Sequence, residues 1–129
     1  MLNGRDQWHN EGQPVMRHFR EFEKKSNQES NFCIFIAPKL HRDTINTFWF
    51  SVKYEYEGQK QKITPFTITQ LIEILELIKD LKYKNIPFLH SQFQELLENI
   101  SNVQDMSDSE HWLKTIPNTL NNFKKSFYE

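Results

Sequence analysis

The stretch Asn31-Phe32-Cys33-Ile34-Phe35-Ile36-Ala37 is apolar without alternation and ends at Pro38. A half-exposed strand alternates apolar and polar residues; a short unbroken apolar run is the pattern of a strand covered on both faces, as in a parallel sheet. A parallel strand also constrains the next segment, because its neighbour is reached only through a crossover, usually a helix. Residues 42–53 supply one. Ile45, Phe48, Trp49 and Val52 recur at helical spacing, with Asp43 or Thr44 available as the cap. The period is ambiguous, since Phe50, Val52, Tyr54 and Tyr56 also alternate with polar residues as in an exposed strand. The crossover requirement favours the helix.

Lys62-Ile63-Thr64-Pro65-Phe66 reads as a second short strand, with Pro65 pushing it toward an edge or an end. Thr67-Ile68-Thr69-Gln70 is a capping box. It opens a helix predicted to carry Ile68, Leu71, Ile72, Leu75 and Ile78 on one face. After Ile86-Pro87, the spacing of Phe93, Leu96, Leu97 and Ile100 predicts another helix. Ser107-Asp108-Ser109-Glu110 reads as a further capping box, leading to Trp112, Leu113 and Ile116, then Leu120, Phe123 and Phe127 beyond Pro117. Upstream, Val15, His18, Phe19 and Phe22 form a helical stripe, with Pro14 suited to a first turn and residues 5–12 as a bent extension. Residues 26–30 form a polar linker. The predicted order is α-β-α-β-α with a helical C-terminal cap. Two strands make a poor independent sheet, so the pattern reads as the second half of an α/β domain.

Composition limits the function classes. Lys and Arg total 16 against 17 acidic residues, unlike a free-standing nucleic-acid binder, which is usually basic overall. Eleven Phe, four Tyr and three Trp rule out a disordered tail. The single cysteine, Cys33, makes no intramolecular disulfide and fits a reducing compartment. No apolar run approaches a membrane span, and the polar start does not resemble a signal peptide; the expectation is a cytoplasmic protein with no membrane partner.

Few residues are placed for chemistry. The histidines His9, His18, His41, His90 and His111 lack HExxH spacing, no cysteine pairs exist, and no glycine-rich phosphate loop is present. Cys33 in a buried strand reads as core packing. Glu11 reads, on composition alone, as a solvated carboxylate favoured by a helix start. Gln7, four residues earlier, shares its potential face. His18 reads as a packed core histidine, and Arg17 with Arg20 as a solvated helix face.

Three ordered blocks alter that reading. Gly4-Arg5-Asp6-Gln7-Trp8, leading to Glu11 and then Pro14-Val15-Met16-Arg17-His18, resembles a motif of the AlwI-type restriction endonucleases. Residues 35–50, from Phe35-Ile36-Ala37-Pro38-Lys39 to Phe48-Trp49-Phe50, resemble the same family, as does Lys62-Ile63-Thr64-Pro65-Phe66-Thr67-Ile68-Thr69-Gln70. The similarity runs from residue 1 to about residue 100. It implies the PD-(D/E)XK nuclease fold, related to FokI-like cleavage domains, in type II (IIS-like) enzymes that cut double-stranded DNA near short asymmetric sites with magnesium. Such a centre takes an aspartate from one strand and a Glu-x-Lys-like element from the next, which hold the metal that activates water and neutralises phosphate charge. A further glutamate comes after them, and the resemblance carries it onto Glu11, as a direct or supporting part of a Mg2+ site. Gln7, Arg17 and His18 take supporting or phosphate-contacting roles, and Arg5 a DNA-backbone contact.

The aspartate and the Glu-x-Lys-like element have no counterpart in this sequence. The expectation is therefore the C-terminal part of the catalytic domain, with residues 1–104 as a partial nuclease domain and 105–129 as a helical extension. Alone it is expected to be inactive and to bind no metal tightly. The alternative is a non-enzymatic DNA- or protein-binding module that pairs with a separately encoded N-terminal half or with itself. A third reading is an unrelated small α/β regulator.

Overall fold

The computed structural model describes residues 7–128. A π-helical turn, Trp8–Gly12, runs without a break into helix α1, Gln13–Lys25, with Pro14 in its first turn. Strand β1, Cys33–Ala37, leads through helix α2, Arg42–Lys53, to strand β2, Ile63–Thr67. Three more helices complete the chain: α3, Ile68–Tyr83; α4, His90–Ser101; and α5, Ser109–Ser126. The described residues are thus mixed α/β, with five α-helices and a small parallel sheet. The strands pair in register from Cys33↔Ile63 to Ala37↔Thr67.

Each crossover element is set by its residues. In α2, Ile45, Phe48, Trp49 and Val52 all turn inward and are buried, which resolves the ambiguous period in favour of the helix. Phe48 meets Phe35 of β1 edge to face, with ring centroids 5.1 Å apart. The residue before α2 is His41, which makes no side-chain cap, so neither Asp43 nor Thr44 caps the helix; Thr44 lies inside it and is fully buried. The chain then reverses through Glu57 (φ 50°) and Gly58 (φ 89°), which place Tyr56 opposite Gln59. Two positive φ values in a two-residue loop match the twist of a tight hairpin.

Thr67 pairs with Ala37 as the last residue of β2 and is also the N-cap of α3. Its hydroxyl accepts from Gln70 N–H at 3.1 Å, while the Gln70 side chain accepts from Thr67 N–H at 2.8 Å. The anticipated capping box is present, and no residue separates strand from helix.

Several expectations fail for identifiable reasons. β1 is not covered on both faces: Phe35 and Ala37 are buried, but Ile34 and Ile36 are 37% and 39% exposed. Pro65 sits in the middle of β2 opposite Phe35, in a two-stranded sheet where β2 is an edge strand as Pro65 implied, but β2 rather than β1 is the strand buried on both faces. In α3 the core takes Ile74, Leu77 and Leu81, whereas Ile68, Ile72 and Leu75 face outward. This helix is apolar around most of its circumference, so periodicity could not choose the buried side. The cap before α5 is Asp108, accepting from His111 N–H at 2.7 Å, one residue later than Ser107. Helix α5 continues through Pro117, whose missing N–H removes one helical hydrogen bond.

The core is continuous from α1 to α5. It includes Met16 and Phe19 of α1, Ile63 and Phe66 of β2, Leu96, Leu97 and Ile100 of α4, and Trp112, Ile116 and Leu120 of α5. Trp112 is fully buried, and its ring N–H donates to Ile100 C=O at 2.9 Å. Among the described residues, no helix is long and apolar enough to cross a membrane.

Candidate active-site region

The π-helical turn is the first element among the described residues and carries Glu11. A π turn holds one more residue than an α turn and shifts the side chains beyond it around the helix axis. Glu11 is half-buried there. The turn is fixed from three directions. Gln7, only 2% exposed, donates from Nε2 to Lys39 C=O at 2.7 Å and accepts His41 N–H on Oε1 at 2.8 Å. One amide thus closes both backbone groups of the β1–α2 connection. Trp8 donates from its ring N–H to Thr47 Oγ1 at 2.7 Å, and Thr47 in turn donates to Asp43 C=O at 2.8 Å. Gly12 packs over Thr44, where a Cβ would stand 3.4 Å from the Thr44 methyl.

The candidate residues do not converge. Gln7 has both ends of its amide engaged with backbone, so it holds the β1–α2 turn against the segment carrying Glu11. Arg17 and His18 are exposed on α1, and His18 stands 3.8 Å from Glu21. His18 is therefore not a packed core histidine: α1 is rotated so that Met16, Phe19 and Arg20 face inward and Phe22 is exposed. Arg5 lies outside the described residues. Glu11 takes part in none of the ion pairs among the described residues.

Behind α1 lies a buried polar group that periodicity did not indicate. Arg20, read from the sequence as solvated, is 4% exposed. Its guanidinium donates to the carbonyls of Tyr56 and Gln59 and pairs with Glu23 at 3.2 Å. Gln61 is fully buried. Its Oε1 accepts from Ser51 Oγ at 2.6 Å, and its Nε2 donates to Met16 C=O at 3.0 Å and to Glu23 Oε1 at 3.2 Å. The group ties α1, α2 and the hairpin at Glu57-Gly58 together. It also borders Cys33, whose thiol is pushed up to about 11, first by burial and then by the Glu23 charge. A thiol held that high is protonated near neutrality and is not a nucleophile, as the core-packing reading of Cys33 requires.

A cleft of about 760 Å3 between α2 and α5 gathers Asp43, Asp108 and Glu110. Asp108 is committed to capping α5, and Glu110 pairs with Lys114 at 3.0 Å. Among the described residues, no group of three His, Cys, Asp or Glu side chains is arranged to hold a metal ion.

A two-stranded parallel α/β unit, with a conformationally fixed polar turn before its first strand, places the chain among mixed α/β proteins. Comparison with known families narrows this: the family model described as AlwI restriction endonuclease matches residues 1–74. The chain belongs to that family, as the three sequence blocks implied. The match spans the π turn, α1, both strands, α2 and the first half of α3. No curated protein matches the chain at a significant level. The family gives the function class, a restriction endonuclease with DNA as its substrate.

Proposed function

We propose that this chain forms part of the catalytic domain of a type II (IIS-like) restriction endonuclease with the PD-(D/E)XK fold, and that Glu11 is its contribution to the catalytic centre. The carrying observation is the family match over residues 1–74, which includes Glu11 and every structural element that fixes it. The half-buried carboxylate lies on a turn immobilised by Gln7, Trp8 and Gly12, as a positioned acid requires. Arg17 and His18, exposed on the adjoining helix, are available to DNA phosphates.

Magnesium does not fit the described residues by themselves. A divalent site for phosphodiester hydrolysis uses more than one carboxylate, and among the described residues no group of three His, Cys, Asp or Glu side chains is arranged around Glu11 to hold a metal. No step of hydrolysis is therefore assigned to this chain alone. The expected result is that the purified chain with Mg2+ leaves double-stranded DNA intact. Magnesium-dependent, site-specific cutting would overturn that. If such cutting persisted in Glu11→Ala, Glu11 would lose its role.

A second reading is supported by β1. Cys33 N–H points at β2, donating to Lys62 C=O at 2.9 Å. By strand geometry the backbone groups of Ile34 and Ile36 point the other way, along an edge with no proline or charge to protect it. A non-enzymatic module that accepts a strand from a separately encoded N-terminal half would use that edge. Recovery of cleavage on mixing the two polypeptides would join the readings.

A further inference from the structure

The outer side of helix α2 carries two large aromatics that the described residues leave uncovered. Phe50 and Tyr54 are 54% and 55% exposed. Their rings meet with centroids 5.8 Å apart and planes tilted by 35°, so they present one joined aromatic surface. At 3.6 residues per turn, Asp43, Thr47, Phe50 and Tyr54 fall within roughly 60° of arc, as a single stripe. Thr47 receives the Trp8 ring N–H, which ties this stripe to the turn that carries Glu11. Phe50 and Tyr54 follow Thr47 at roughly 5 and 10 Å along the helix axis. Arg17 borders the same surface. It shares a flank of α1 with Arg20 and Lys24, again within roughly 60° of arc. Arg20 donates to Tyr56 C=O, and Lys24 pairs with Glu57 at 3.7 Å, so this flank faces the segment just beyond Tyr54. Arg17 is exposed and enters none of the ion pairs among the described residues.

We propose that Phe50 and Tyr54 form a stacking platform for one unpaired base of the DNA strand held beside Glu11, with Arg17 on an adjoining phosphate. The inference rests on the nuclease reading for DNA as the polymer. Size decides against a protein partner. A large aromatic side chain buries about 150–250 Å2, so two that are half exposed offer roughly 200 Å2 together. That is below the roughly 300–600 Å2 of the largest patch on an ordinary monomer, and far below the roughly 800 Å2 per partner of a stable interface. The stripe does not widen the patch either, since its other members, Asp43 and Thr47, are polar. Two joined rings instead match the face of a base, and stacking on them is tolerant of sequence because every base has a π-face. A base inside an intact duplex is already stacked on both sides. The platform therefore selects a base at a break or bulge in the stack, while the guanidinium supplies a contact to the backbone. The pair holds the strand in place and takes no part in the hydrolysis itself.

Two labelled duplexes test it, identical except that one carries a single unpaired 2-aminopurine. Each is titrated with the full chain at low salt, without metal. The duplex with the unpaired base is expected to bind roughly tenfold tighter, and its 2-aminopurine fluorescence is quenched as the base stacks. Phe50→Leu and Tyr54→Ala, both at solvent-facing positions, each lose roughly tenfold on that duplex and leave the fully paired one unchanged. Their far-UV circular dichroism matches the wild type. Tyr54→Phe keeps the ring and keeps the preference, so the test stays informative if Tyr54→Ala unfolds. Arg17→Ala weakens both duplexes alike. A wild-type chain that binds the two duplexes equally overturns the proposal, as does a preference that survives Phe50→Leu and Tyr54→Ala, or binding to neither duplex. Glu11 is decided by cleavage and not by these titrations, so the nuclease reading stands or falls separately.

Discussion

Replacing Gln61 with leucine tests whether the polar group behind α1 holds the fold together. The two side chains are similar in size, so the change removes hydrogen bonds with little loss of volume. It breaks three: from Ser51 Oγ at 2.6 Å, to Met16 C=O at 3.0 Å and to Glu23 at 3.2 Å. Gln61 is fully buried, so bulk water does not replace them. Each neutral bond contributes about 1 kcal/mol net, and stranding its partner costs about 1–3 kcal/mol. Glu23 keeps Arg20 as a partner, so its loss lies at the low end. Ser51 turns to a backbone carbonyl of its own helix and recovers part of its loss. The added apolar burial returns about 1 kcal/mol. The balance is a destabilisation of about 3 kcal/mol, a large share of the roughly 5–15 kcal/mol available to a domain. Urea unfolding tracked by circular dichroism reads it as a lowered midpoint at unchanged slope. Ser51→Ala supplies the internal check. Alone it costs about 1–2 kcal/mol, but in the Gln61→Leu background it costs little, because the partner is already gone. A Gln61→Leu loss below about 1 kcal/mol, or additive single and double variants, would refute the reasoning.

Single contacts carry further consequences. Thr67→Ala removes the capping-box hydroxyl and should cost about 1 kcal/mol, measured as a lower melting temperature. Gly12→Ala should be neutral or stabilising by up to about 1 kcal/mol, since the new methyl meets Thr44 at ordinary contact distance; a clear loss would show the π turn to be tighter than its geometry indicates. Cys33 holds its proton more tightly folded than unfolded, so its contribution is full below the unfolded thiol value and is lost as pH rises from about 9 toward 11. A thiol reagent should therefore react slowly with native protein and quickly in denaturant. The hydrogen bond from Tyr128 lowers the Asp80 carboxyl, with Lys84 adding to it, while Asp80 raises the Tyr128 phenol. Tyr128→Phe should move the Asp80 titration upward by NMR. Linkage sets the sign: the stabilisation is present above the ordinary carboxylate value and fades as pH falls through the lowered one.

What the sequence disclosed divides along physical lines. The Thr67 cap was legible because it depends on residues within one turn, whereas helix α2, ambiguous in its own period, was legible only through the crossover that a parallel strand pair requires. The face buried by α3 was not legible, since a helix apolar on most sides is oriented by its neighbours. The same holds for α1, where buried Arg20 and exposed His18 exchange their expected places. The charge partner of Arg20, Glu23, is local, but the carbonyls that accept from the buried guanidinium belong to Tyr56 and Gln59, 36 and 39 residues away. β1 looked two-sided because apolar content records what a strand can bury, not what covers it. At the candidate site, Glu11 was singled out only by likeness to a family. Its fixation by Gln7 and Trp8 depends on contacts to residues 39–47, beyond the reach of local patterning.

The shared residue at the end of β2 has a mechanical consequence. Thr67 closes the sheet register opposite Ala37 and starts α3 in the same position, so the joint has no slack. The first turn of α3 cannot swing without pulling the last rung of the sheet, and the sheet cannot slip by a residue without uncapping the helix. In native-state hydrogen exchange, amides of β2 and of the first turns of α3 should open together, as one cooperative unit. A load placed on α3 is then felt directly at β1, and through the β1–α2 turn at the segment that carries Glu11.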